Sequence, residues 1–147
     1  MKSIVGIFPV LFLIAGSAFG CPNFSGKYVE AGTADSFTIV QAGCDSWTWL
    51  AEGSAPSTTK IDGKTYVYQD DGANVITEKA SWDGSKLVEA VEMRMKNSQS
   101  PQDLLMSITD EYSLNAQGDI ILVETQLDPL FGDTQPLTTT HTYNRVP

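Results

Sequence analysis

Trp82-Asp83-Gly84-Ser85-Lys86-Leu87-Val88-Glu89-Ala90-Val91-Glu92-Met93-Arg94-Met95 is the stretch that decides the fold. It opens on an Asp-Gly pair, the dipeptide that suits tight hairpins because glycine adopts a positive φ without steric cost. Leu87, Val91, Met93 and Met95 then fall on alternate positions. That period is the one of an extended strand with one face buried, whereas an amphipathic helix would repeat every 3.6 residues.

The same pattern continues in both directions. Upstream, Ile76, Ala80 and Trp82 mark the strand before the turn, and Asp70-Asp71-Gly72 turns the chain before that. Tyr66 and Tyr68 share one side of a further strand, entered through Ile61-Asp62-Gly63-Lys64, which reads as another Asp-Gly hairpin. Gly53 to Thr59 reads as a polar loop, Trp47 and Trp49 share a strand face, Phe37 and Ile39 mark a second strand, and Phe24 to Tyr28 a first. Downstream, Leu104, Met106, Ile108, Tyr112 and Leu114 alternate. Asn115 to Asp119 forms a hairpin loop, Ile120 to Leu127 another strand, and Thr138 to Val146 the last. The loop before that last strand carries an apolar tip, Leu130-Phe131. These readings predict an all-β, antiparallel up-and-down meander of eight to ten strands closing into a small barrel, because closure removes exposed strand edges.

The ends define the expected maturation. Lys2, the apolar run Ile4 to Ala15 and the small residues Ala18 and Gly20 compose a signal peptide over residues 1–20. The run is too short for a transmembrane helix, which needs about twenty apolar residues. A single domain over residues 21–147 follows. Cys21, next to the predicted cut, raises lipid attachment, but Ala18 and Phe19 match that motif poorly. The two cysteines, Cys21 and Cys44, are expected to pair in an oxidising compartment, periplasmic or extracellular, since no further Cys or His lies near them to complete a metal site. Without Lys2 the formal charge is −10, which repels phosphate backbones and anionic lipid, so nucleic acid is not an expected partner. A monomer without a cofactor is expected.

Gly26-Lys27-Tyr28 in the first strand and Arg145 in the last resemble the paired marks of the calycin barrels, the lipocalins and their relatives. In that group a Gly-x-Trp in the first strand packs across a late arginine; here tyrosine replaces the tryptophan. The resemblance implies a lipocalin-like barrel in which Gly26, Tyr28 and Arg145 are structural and a small hydrophobic molecule occupies the interior.

The side chains that would line such an interior are Trp47, Trp49, Tyr66, Tyr68, Trp82, Glu89, Met93 and His141. Aromatic rings can form a pocket for a flat or lipidic ligand, or fill a narrow barrel to its axis. Glu89 alternates with Leu87, Val91 and Met93 and so falls on an apolar face, where an unpaired carboxylate is costly; Arg94 points the other way. A rim position, a cationic partner or ligand contact would each resolve it. His141 is the sole histidine and one imidazole does not make a haem or catalytic site. No Gly-x-Ser-x-Gly elbow is present. The expected function is non-catalytic binding of a small hydrophobic ligand; the alternative is a filled barrel acting as an interaction or envelope structural module.

Overall fold

The computed structural model describes residues 20–96, 103–129 and 132–147; residues 1–19, read above as a signal peptide, and the Leu130-Phe131 tip lie outside them. The strands are β1 (Gly26–Glu30), β2 (Ser36–Ala42), β3 (Ser46–Ala51), β4 (Ser57–Lys60), β5 (Thr65–Asp70), β6 (Asn74–Asp83), β7 (Lys86–Met95), β8 (Leu104–Leu114), β9 (Ile120–Leu127) and β10 (Leu137–Val146). They form one antiparallel sheet in the order β4-β3-β2-β1-β10-β9-β8-β7-β6-β5, curled strongly into a half-barrel. The long central hairpin forms as its sequence predicts. Asp83 pairs with Lys86 around Gly84-Ser85, and Gly84 takes the positive φ of 59° that the first central position of such a turn requires.

β1 pairs with β10, Tyr28 opposite Arg145, so the first and last strands are neighbours. Every other consecutive pair of strands is laddered except β4 and β5, which are the two free edges. Closure is therefore incomplete at one seam, and the segment read as an Asp-Gly hairpin at Ile61 to Lys64 is the chain crossing that seam. Its backbone groups are spent outside its flanking strands: Ile61 N donates to Asp45 O at 2.7 Å and Gly63 N to Ala80 O at 2.9 Å. Asp62 Oδ1 accepts from Lys64 N, completing the turn locally. A second correction is β4 itself, which lies in the stretch read as a polar loop. Ser-Thr-Thr-Lys carries no apolar alternation, and the strand exists through its pairing with β3, Trp47 opposite Thr59 and Trp49 opposite Ser57.

The core sits at the base of this half-barrel, where the seam is stitched. Phe24, fully buried just before β1, lies edge-on to Trp47 and stacked with Trp82 at centroid distances of 6.1 and 6.0 Å. Trp82 Nε1 donates to Cys44 O, which holds β6 to the β2–β3 turn across the seam. Tyr28, Phe37, Ile39, Leu87, Ile120 and Leu122 complete the buried cluster. Arg145 closes its underside. Its guanidinium donates to Ser25 O and passes over Gly26, where an added Cβ would lie 3.0 Å from Nε, so the absence of a side chain there makes room for it. Its backbone N–H donates to Asp119.

The segment ahead of β1 is held by the Cys21–Cys44 disulfide and by Gln41, whose amide accepts from Phe24 N and donates to Pro22 O and Gly43 O. The cystine therefore keeps Phe24 beneath the two tryptophans. The cysteines are 23 residues apart, and a crosslink of that span restricts the unfolded chain by about 3 kcal/mol. Replacing both cysteines by serine is predicted to lower the urea-unfolding free energy by about that amount. A loss well under 1 kcal/mol would show that Gln41 and ring contacts alone secure the base.

Candidate functional site

Alternation along the paired strands assigns each inward residue to a cross-strand row. The lowest rows are apolar, Trp82–Leu87–Tyr112–Leu122 being one of them. One step above it, Ala80 pairs with Glu89, Glu89 with Asp110, and Asp110 with Glu124. Three carboxylates thus stand side by side on β7, β8 and β9, an arrangement that repels when all are ionised. Glu78 lies diagonal to Glu89 and acts on its carboxyl, and the Tyr68 hydroxyl lies close enough to Glu78 to feel its charge.

Facing this wall, across the seam, are the inward residues of β3 and β4. Trp47, Trp49, Ser57 and Thr59 on that side and Glu89 and Tyr112 on the other enclose a cavity of about 240 Å³ that opens to solvent. Thr59 is buried and its side chain comes close enough to Glu89 to favour the charged carboxylate, so this is where the two walls approach each other. Trp49 is held flat against Phe37, with ring centroids 3.6 Å apart. Trp47 meets Tyr112 edge to face at 4.7 Å. The aromatic walls are therefore fixed by contacts behind the cavity as well as within it.

Burial and like charge dominate the electrostatics of the acidic wall, with His141 opposing them at Asp110. Burial first, and then the Glu78 carboxyl, push the Glu89 carboxyl up to about 8. Asp110 is raised by burial first and by Glu124 next; Tyr112 donates to its Oδ2 at 3.3 Å, and its buried Oδ1 has no hydrogen-bond partner among the described residues. The Tyr112 phenol is pushed far up, by burial first and then by Glu89 and Asp110. Ion pairs among the described residues join Lys64 to Asp62 and Lys86 to Glu111, His141 Nδ1 lies 3.2 Å from Glu30, and none of these contacts reaches Glu78, Glu89, Asp110 or Glu124. Lys60, near the seam, sits 4.9 Å above the Tyr66 ring.

Of the side chains predicted to line the interior, Trp47, Trp49 and Glu89 converge on this cavity. Trp82 belongs to the stitched base, and Tyr66 is tied to the chain crossing the seam there, its hydroxyl donating to Asp62 Oδ2 at 2.7 Å. The Tyr68 ring is 55% exposed because a bulge between Val67 and Gln69 displaces it, although its hydroxyl reaches the acidic wall. Met93 is inward two residues above Val91, paired with Met106 beyond the cavity. His141 is a partnered strand histidine, Nδ1 3.2 Å from Glu30 and Nε2 3.3 Å from Thr139. Of the three resolutions open to Glu89, no cationic partner is present among the described residues, and the carboxyl lines the cavity. Arg94 does point away, as alternation requires. Thr59, Ser57, Asp110 and Glu124 were not singled out. Asp110 and Glu124 alternate visibly with apolar neighbours, whereas Ser57 and Thr59 lie in an all-polar stretch, and only the knowledge of which strands lie side by side brings the four together.

No protein-family model matches the chain, and no curated protein matches it.

The raised carboxyl makes stability depend on pH. Below its ordinary value of 4.5, Glu89 is protonated both folded and unfolded and costs nothing; between 4.5 and about 8 the unfolded chain releases a proton that the folded chain retains, so rising pH erodes stability until about 8. Glu89→Gln removes this term. The variant is predicted to melt roughly 5 °C above the wild type at pH 8.5 and level with it at pH 4. A uniform difference at both pH values, measured by thermal denaturation, would contradict an ionisation origin.

Proposed function

We propose that this protein is a non-catalytic binder of a small, largely hydrophobic molecule, exported from the cell and lipocalin-like in design. The observation that carries this reading is the cavity between Trp47 and Trp49 on one wall and Tyr112 on the other, a concave, aromatic-lined site with a few polar groups. Its volume, about 240 Å³, falls below the usual range of ligand pockets, which starts at about 300 Å³, and limits the guest to a one-ring molecule. The base below is filled by Phe24, Trp82 and Leu87, so the ligand occupies only the open end of the half-barrel. Arg145 against Gly26 and Tyr28 supports the calycin likeness, and the Cys21–Cys44 cystine supports an oxidising destination. The absence of catalysis is supported by the separation of the two titratable candidates: Glu89 on β7 lines the cavity, while His141 on β10 is engaged with Glu30 and Thr139. The filled base also favours a second reading, an interaction or structural module whose upper concavity stays empty.

Tryptophan emission and calorimetry with 2-phenylethanol, a neutral one-ring probe, separate the two. Binding is predicted to shift the emission saturably, and Trp49→Leu is predicted to weaken it about tenfold by removing one aromatic wall. Absence of saturable binding would leave the module reading in possession.

A further inference from the structure

We propose that the ligand of this cavity is a small organic cation, an ammonium whose nitrogen is received by Glu89 while its apolar body lies against Trp47 and Trp49. This rests on the binding reading above and names the chemical class it serves. Three features of the site point there. Glu89 is the one ionisable group that lines the cavity besides Tyr112, and it has no cation of its own among the described residues. Asp110 and Glu124 continue the row behind it, so the wall presents a negative field that repels anions and gains from a positive guest. Opposite stand two indoles, and the Tyr112 phenol flanks Glu89 on its own wall; aromatic faces attract cations, and desolvated sites of this make-up hold ammonium groups.

The nearby lysines and arginines are occupied elsewhere. Lys60 lies over Tyr66, Lys86 pairs with Glu111, and Arg145 is committed to Ser25 O at the base. A metal ion fits less well, since the described residues hold no group of three ligands with metal-binding geometry. The Asp110 carboxyl, whose buried Oδ1 has no hydrogen-bond partner among the described residues, adds to the negative field beside Glu89.

Ammonium binding requires the ionised form of Glu89. The groups facing that carboxyl are Glu78 on β6, Asp110 and Tyr112 on β8, Thr59 on β4 and Tyr68 on β5, and among them the Thr59 side chain favours the charged form. A cation entering near neutral pH therefore displaces a proton, and its affinity rises with pH up to about 8.

The test compares 2-phenylethylamine with 2-phenylethanol, which differ in charge at nearly equal size, by calorimetry on the disulfide-bonded mature chain. At pH 8.5 the amine is predicted to bind about tenfold or more tightly than the alcohol, and at pH 6 this preference shrinks severalfold. Glu89→Gln is predicted to bring the two probes to equal affinity, whereas Glu92→Gln, on the convex face, leaves the preference intact. Equal binding of both probes to the wild type overturns the cationic class and leaves the binding reading standing. A preference that Glu89→Gln does not reduce, or that Glu92→Gln reduces as much, assigns it to the overall negative charge and overturns the site. Failure of both probes to bind removes the binding reading and this inference with it.

Discussion

The pairing of β1 with β10, Tyr28 opposite Arg145, is the constraint on which the remaining geometry depends. Because first and last strands are joined, the one ladder the meander lacks falls in its middle, between β4 and β5. The chain crosses that gap only at the base, through Ile61 and Gly63, where Phe24, Trp47 and Trp82 provide apolar contacts that hold the two sides together. Above the base the two sides approach each other at Thr59 and Glu89 without a ladder between them, and the sheet stays open. The cavity occupies the space that an additional ladder would have closed.

This arrangement places unlike surfaces opposite each other. The β3–β4 side supplies indole rings and hydroxyls, the β7–β9 side supplies carboxylates, and each is set by its own alternation. Burial opposes ionisation of the carboxylates while like charges in register oppose it further, so the wall keeps protons that free carboxyls would release. Such a wall destabilises the folded chain at neutral and higher pH. Polar groups buried at that cost are found where binding uses them more often than where packing alone is at stake.

The strands around Asp83-Gly84 and Asn115 to Asp119 were legible because their turns are local: glycine at a positive φ, and side-chain acceptors that satisfy the turn's own N–H groups. The Asp-Gly at 62–63 carried the same signal and misled, because the donor of Gly63 is satisfied by Ala80, a residue on another strand. β4 was illegible for the complementary reason, its four residues being polar and ordered by partners rather than by their own pattern. Trp47, Trp49 and Glu89 were identified as inward residues from alternation, whereas Asp110 and Glu124 became neighbours of Glu89 only through register.

Alternation, turn chemistry and the paired cysteines are properties of adjacent residues or of composition, and from them the sequence by itself determined an antiparallel all-β chain, its inward faces and its disulfide. Only the tertiary structure decided where the ring stays open, which carboxylates share a row, and that an aromatic wall faces them. Those outcomes depend on which strands lie side by side and in what register. That choice is settled by long-range contacts at the base, between residues as far apart in the chain as Phe24 and Trp82, and no local pattern encodes it.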